Sequence, residues 1–194
     1  MALKTPNILT LLRIAFVPVF VVVYYLPFAW EPLVTTILFV LAAVTDWLDG
    51  YLARKLNQSS PFGAFLDPVA DKLMVAAALI LLVADARVLA AVIDPRLFAI
   101  VVLIIMGREI AISALREWMA EVGKRHSVAV SWVGKFKTAS QMVAIPFLLY
   151  GGAETHWLLF KIGELLLYVA AALTLWSAIV YVRAAWPDLT REGL

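Results

Sequence analysis

Long apolar stretches alternate with short polar and turn-forming clusters along the whole chain. A hydrocarbon layer about 30 Å thick needs roughly 20 helical residues per crossing, and six stretches approach that length. The predicted crossings are Ile8–Trp30, Leu33–Arg54, Asp67–Val83, Leu97–Met119, Trp132–Tyr150 and Trp157–Val182. With no internal repeat, linker or low-complexity tail, the pattern predicts an all-α polytopic membrane protein. We expect a bundle of six transmembrane helices that forms one domain over residues 1–194.

Composition supports a membrane protein and excludes several other classes. Of the 194 residues, 64% are hydrophobic and 15% are charged, against roughly 45–50% and about 25% in soluble domains. The absence of cysteine excludes disulfides and thiolate catalysis. A net charge of +2 is too small and too dispersed to indicate nucleic-acid binding.

The distribution of Lys and Arg predicts the orientation in the membrane. Ten of them fall on one side of a six-crossing arrangement: Lys4, Arg54, Lys55, Arg116, Lys124, Arg125, Lys135, Lys137, Arg183 and Arg191. The other side has Arg87 and Arg96. Because short loops rich in Lys and Arg stay in the cytoplasm, we expect both termini to be cytoplasmic.

Short uncharged runs place carboxylates at membrane depth. Between Glu31 and Asp46 there are 14 uncharged residues, which make about 21 Å of helix and fall short of the hydrocarbon thickness. Only 12 uncharged residues separate Lys72 from Asp85, so Asp71 lies inside the next crossing or at its mouth. A carboxylate there is costly unless it lines a wet cavity, pairs with a cation or binds metal, so these groups are functional candidates.

Helical spacing puts the carboxylates on two stripes. Asp46 and Asp49 are three residues apart on the second crossing, and Asp67 and Asp71 are four apart on the third. A short connection makes these helices antiparallel neighbours, so the stripes can face one another. The start of the third helix stays open between Ser60-Pro61 and Asp67-Pro68, since both pairs are typical helix starts.

Four convergent carboxylates without Cys or His indicate a site for a hard cation, Mg²⁺ or Mn²⁺. One or two divalent ions would neutralise their mutual repulsion. A pair of ions about 3.5–4 Å apart suits phosphoryl chemistry because it can clamp a diphosphate and stabilise the leaving oxygen.

The carboxylates belong to a longer pattern. The chain contains Asp46-Trp-Leu-Asp49-Gly50-Tyr-Leu-Ala53-Arg54, then Gly63, Asp67 and Asp71 at fixed spacings. This pattern resembles the signature of the CDP-alcohol phosphatidyltransferase family at all eight of its fixed positions.

The resemblance implies a six-helix membrane enzyme, usually a homodimer, that transfers a phosphatidyl or related group from a CDP-activated lipid to an alcohol and releases CMP. It implies that Asp46, Asp49, Asp67 and Asp71 hold two metal ions and that Asp71 is the general base. Further residues would border the CDP pocket: Gly50, Ala53, Arg54, Gly63, Asn7 and Thr10.

Later motifs resemble the bacterial branch of the family whose acceptor is sn-glycerol 3-phosphate and whose donor is CDP-diacylglycerol. They are the segments around Arg108, Arg116 and Lys135-Phe-Lys137-Thr138. Residues 108–137 carry six Lys or Arg against three Glu, a balance that would attract an anionic acceptor. We therefore expect Arg108, Arg116, Lys135 and Thr138 to bind the acceptor phosphate, at the cytoplasmic face of the bacterial inner membrane.

The first and last crossings contain three charged residues. Lys161 and Glu164 are three residues apart, which predicts a local ion pair. Arg13 either extends to the membrane interface or contacts a phosphate of the lipid or nucleotide.

Two alternative functions remain at this stage. Another acceptor, such as inositol phosphate, would give the same carboxylate pattern. A cation channel or transporter with a path lined by Asp belongs to a different class, but the clustering of the carboxylates near one membrane face argues against it.

Overall fold

The computed structural model describes residues 5–56, 61–121, 132–151 and 156–191. Side chains at 5–10, 47, 49–56, 61–68, 71, 132–135, 184–185 and 187–191 lie outside this description. The described residues form helices α1 Thr5–Tyr25, α2 Glu31–Leu56, α3 Pro61–Ala84, α4 Ala86–Ala91, α5 Pro95–Glu121, α6 Trp132–Tyr150 and α7 Trp157–Arg191. The expectation of an all-helical protein is confirmed for this part of the chain.

Each of the six predicted crossings corresponds to one long helix. Helix α3 begins at Pro61, the earlier of the two proposed starts. Sequence analysis missed the short helix α4, where Asp85 is the N-cap and its side chain accepts a hydrogen bond from the Arg87 backbone N–H at 2.8 Å. Asp94 likewise caps α5 by accepting from the Arg96 N–H at 2.7 Å. These caps explain why a segment with turn composition is partly helical.

Contacts between helices show an antiparallel arrangement with two distinct ends. Tyr24 at the end of α1 and Arg87 of α4 meet Asp85, and Arg87 also reaches Glu31 at the start of α2. We call this the α4 end. The opposite end, which we call the carboxylate end, contains Asp46 and the starts of α1, α3 and α6. A continuous apolar core lies between the two ends, with Phe20, Phe39, Leu79, Phe98, Ile105, Ile145, Phe160 and Leu167 fully buried or nearly so.

The backbones of α6 and α7 approach each other closely at a glycine. A methyl group added to Gly163 of α7 would lie 3.0 Å from the carbonyl oxygen of Ala144 and 3.0 Å from the backbone nitrogen of Leu148. Only a residue without a side chain permits this contact, so Gly163 fixes the distance between the two helices.

Large apolar side chains cover much of the outer surface. Leu103 is 69% exposed, Leu165 is 64% exposed and Trp176 is 63% exposed, although all three lie well inside long helices. Two helical segments in the described residues are long and apolar enough to cross a membrane, Pro95–Glu121 and Trp157–Arg183, which contain 18-residue stretches with mean hydropathies of 2.2 and 2.1. Shorter apolar segments occupy Leu11–Tyr25 and Lys72–Ala84. A surface of this kind indicates membrane-protein character.

Charged groups at the α4 end pair with one another. Arg87 donates to Asp85 at 2.7 Å and to Glu31 at 3.2 Å, and the Tyr24 hydroxyl donates to Asp85 at 2.8 Å. Burial raises the pKa of the Asp85 carboxyl, but the hydrogen bonds from Arg87 and Tyr24 outweigh it, so that pKa is lowered on balance. Burial also raises the pKa of Glu31, and there the opposing effect of Arg87 is the weaker one.

The predicted pair of Lys161 and Glu164 is confirmed, at 2.9 Å, and it has a wider role. The fully buried Glu164 also accepts from the Ile93 N–H at 2.7 Å and from the Tyr168 hydroxyl at 2.8 Å. Lys161 donates to the carbonyl oxygen of Ala91 at 2.8 Å. These bonds attach the connection between α4 and α5 to α7.

Candidate active site

The four predicted metal ligands lie on two antiparallel helices at the carboxylate end. Asp46 and Asp49 belong to α2, and Asp67 and Asp71 belong to α3. The side chains of Asp49, Asp67 and Asp71 lie outside the described residues. The convergence of all four carboxylates therefore stays a prediction.

The described side chain of Asp46 suits a role as a hard-cation ligand. Its side chain is 42% exposed, and its carboxylate forms an ion pair with the buried guanidinium of Arg13 on α1. One cation therefore offsets the charge of Asp46 while part of its carboxylate stays accessible. Oxygen donors of this kind fit Mg²⁺ or Mn²⁺.

An apolar groove leads along the bundle to Asp46. It lies between α2 and α6, has a volume of about 390 Å³ and is lined by Phe39, Val40, Ala43, Val44, Met142 and Pro146 besides Asp46. The groove thus joins a hydrophobic surface to a carboxylate.

A second polar cluster joins α3, α5 and α6. Lys72 of α3 donates to the hydroxyl of Ser113 on α5, and that hydroxyl donates to the carbonyl oxygen of Glu109 at 2.5 Å. The Glu109 carboxylate oxygen Oε1 accepts from Lys137 of α6 and, at 3.2 Å, from Arg108. We call Lys72, Arg108, Glu109, Ser113 and Lys137 the α5 cluster.

The α5 cluster borders a cavity of about 140 Å³ between the same three helices. Lys72, Glu109, Lys137, Thr138 and Gln141 supply its polar wall, and Val75, Leu79, Ile105 and Met106 are among its apolar lining. Val75 and Met142 line both this cavity and the small pocket that contains Arg13 and Asp46, so the cavity adjoins Asp46. Its described charged lining has two cations and one carboxylate, which favours an anionic occupant.

The predicted acceptor residues occupy different positions. Thr138 lines the cavity, whereas Arg108 points towards α7, where it donates to the Ser177 hydroxyl at 2.9 Å and lies over the Tyr181 ring at 5.5 Å. Arg116 is exposed two helical turns further along α5, and the side chain of Lys135 lies outside the described residues. Among the described side chains, Arg108 is connected to the cavity through Glu109.

Comparison with known proteins identifies the family. A profile of CDP-alcohol phosphatidyltransferases matches residues 3–176. The chain belongs to the CDP-alcohol phosphatidyltransferase family. Similar proteins named CDP-diacylglycerol–glycerol-3-phosphate 3-phosphatidyltransferase occur in Salmonella paratyphi A, Pectobacterium atrosepticum and Shigella flexneri, at 51%, 50% and 49% identity. Each alignment covers 97% of this chain and 98% of the relative.

The predicted nucleotide-binding residues lie at the carboxylate end. Asn7 and Thr10 lie on the first part of α1, Gly50, Ala53 and Arg54 on the last part of α2, and Gly63 on the first turn of α3. The three helices meet at this end, but the surroundings of these six residues lie outside the described side chains. Their role in binding the nucleotide of a CDP-alcohol therefore stays a prediction.

Sequence analysis did not assign Glu109, Lys72 or Lys137 to the site, although a signal was present. Only 11 uncharged residues separate Arg96 from Arg108, so Glu109 also lies at membrane depth by the argument that identified Asp46. Their partners could not be found in this way, because Lys137 is 28 residues from Glu109 and Lys72 is 41 residues from Ser113.

Proposed function

We propose that the protein transfers the phosphatidyl group of CDP-diacylglycerol to sn-glycerol 3-phosphate, giving phosphatidylglycerophosphate and CMP. The observation that carries this proposal is the identity of about half of all residues, over nearly the full length, to relatives named for this reaction. The same extent of similarity favours glycerol 3-phosphate over inositol phosphate as the acceptor.

We further propose that all six long helices span the bacterial inner membrane, with the carboxylate end and both termini in the cytoplasm. The apolar outer surface and the concentration of Lys and Arg on one side support this orientation. Glycerol 3-phosphate would then reach the site from the cytoplasm, and a homodimer is expected from the family resemblance.

Asp46, Asp49, Asp67 and Asp71 would hold Mg²⁺ or Mn²⁺. Bound divalent ions would neutralise the diphosphate of the donor and stabilise charge on the leaving phosphate. The pairing of Asp46 with Arg13, which leaves its carboxylate partly accessible, supports this assignment for Asp46.

The groove between α2 and α6 gives the donor lipid a route from the bilayer. An acyl chain lying along Phe39, Val40 and Pro146 would keep its apolar surface out of water and place its diphosphate near Asp46. Gly50 and Ala53 would leave room beside the backbone for the nucleotide, and Arg54 would contact its phosphates.

In the reaction, Asp71 accepts the proton of the acceptor hydroxyl as the hydroxyl oxygen attacks the phosphorus that carries the diacylglycerol. A new phosphorus–oxygen bond forms to glycerol 3-phosphate while the bond to the CMP oxygen breaks. The cavity beside Lys72, which Thr138 lines, supports binding of the acceptor. Lys135, Arg108 and Arg116 would add positive charge to this anion-binding region. No covalent intermediate with the protein is needed.

The decisive experiment measures metal-dependent CMP release by purified protein with CDP-diacylglycerol and a panel of alcohols. Wild-type protein should require sn-glycerol 3-phosphate, and D67N and D71N should reduce the rate by at least about a hundredfold. D94N is a matched control at the α4 end, since Asn caps a helix as well as Asp does. Preference for inositol phosphate, or full activity in D71N, would contradict the proposal. Mn²⁺ flux into vesicles without CMP release would favour the alternative function, a cation channel or transporter.

A further inference from the structure

We propose that Glu109 is a positioning residue that holds the ammonium of Lys137 at the wall of the acceptor cavity. This inference rests on the proposed function, and it gives a role to a carboxylate that neither the family signature nor the proposed mechanism uses. Glu109 acts through Lys137 and, in our assignment, does not touch the acceptor.

The geometry around Glu109 supports this role. Its oxygen Oε1 accepts from Lys137 on α6 and from Arg108 on its own helix. Lys137 is 4% exposed and lines the cavity, whereas Arg108 continues towards Ser177 and Tyr181 of α7. One carboxylate therefore connects α6 to α5 and, through Arg108, to α7.

Removal of Glu109 would have two electrostatic effects, which change acceptor binding in opposite directions. Glu109 is an anion beside a cavity for an anionic acceptor, so its removal would strengthen the positive field. Without the adjacent carboxylate, however, the charge of the buried Lys137 ammonium is less compensated. Its flexible side chain is also held less firmly. Because Lys137 is almost completely buried, we expect the loss of orientation to be the larger effect.

The test compares E109Q with wild type in the CMP-release assay. The KM for sn-glycerol 3-phosphate should rise about tenfold, the value expected for loss of a hydrogen bond between charged groups. The kcat and the KM for CDP-diacylglycerol should stay within about twofold. E121Q, which removes an exposed carboxylate from the same helix, should match wild type. An unchanged or lower KM for the acceptor in E109Q overturns the inference.

A double-mutant cycle with K137Q separates positioning from direct contact. If Glu109 acts through Lys137, E109Q should change the acceptor KM by less than about twofold in the K137Q background. A tenfold effect in both backgrounds would mean that Glu109 contacts the acceptor itself, which overturns the inference. If E109Q fails to fold, E109D, which is a smaller change, replaces it in the same double-mutant cycle.

The proposed function can fail independently. Wild-type protein that releases CMP only with another alcohol contradicts the proposed acceptor, whatever E109Q does. Wild-type protein that uses sn-glycerol 3-phosphate, with no change of KM in E109Q, contradicts only the role of Glu109.

Discussion

The close contact between α6 and α7 at Gly163 predicts that Gly163→Ala separates the two helices. The added methyl group would lie 2.9 Å from Cβ of Phe147, 3.0 Å from the carbonyl oxygen of Ala144 and 3.0 Å from the nitrogen of Leu148. Ordinary contacts of this kind begin at 3.4 Å. Two of these three atoms belong to the backbone of α6 and cannot rotate away, so the helices must move apart by several tenths of an ångström.

The size of the effect follows from two opposing contributions. Overpacking of this kind costs about 1–3 kcal/mol, while replacing glycine by alanine inside a helix stabilises it by about 0.5–1 kcal/mol. We therefore expect a net loss of about 1–2 kcal/mol, which lowers Tm by about 2–8 °C for a chain of this length. Circular dichroism during heating of detergent-solubilised protein measures this shift.

Gly107→Ala is a matched control on α5. A methyl group there would have no heavy atom within 4 Å, so only the gain in helix propensity remains and Tm should stay the same or rise by a few degrees. If the Gly163 variant melts at or above the wild-type temperature while the Gly107 variant behaves as expected, the added methyl group does not force α6 and α7 apart.

Three further predictions concern the α4 end. E164Q should lower the free energy of unfolding by about 2–3 kcal/mol, because Glu164 is fully buried and accepts three hydrogen bonds; unchanged Tm would contradict this, and neither substrate KM should change. D85N should be less stable than wild type at pH 7, and the difference should shrink as the pH falls below 3.8, because the pKa of Asp85 is lowered in the folded protein. The raised pKa of Glu31 stabilises the folded protein at low pH, where the carboxyl is protonated, and this contribution is lost as the pH rises. E31Q should therefore be at least as stable as wild type at pH 7. Chemical denaturation at several pH values tests both, and equal pH dependence in the two variants would contradict the reasoning.

The fold was largely predictable because apolar stretches of sufficient length leave few alternatives. The predicted crossings correspond to the six long helices, but several helices extend beyond them. Helix α7 continues to Arg191, about 52 Å from its start at 1.5 Å per residue, because a helix does not stop where its sequence becomes polar. Helix α4 was missed because six helical residues after the Asp85 cap are too few to leave a periodic signal.

Site residues were predictable only where their placement depends on spacing along a single helix. The depth of Asp46 follows from the number of uncharged residues before it. The direction of Arg108 does not, because its partner Ser177 is 69 residues away on α7, and the packing of α5 between neighbours decides which face Arg108 occupies. For the same reason, the sequence placed Lys161 beside Glu164 but could not show that Ile93 would share that carboxylate.

Charged side chains have different partners at the two ends of the bundle. This difference indicates which end binds ligand. At the α4 end, each described carboxylate below the surface meets cations or donors within the protein, and these bonds fasten the helices together. The described charged lining of the cavity at the carboxylate end is Lys72, Lys137 and one carboxylate, Glu109, so it has one more cation than anion. A buried excess of positive charge is costly without a counter-ion. A bound anion such as a phosphomonoester would compensate that excess, so the charge of the cavity wall favours an anionic acceptor.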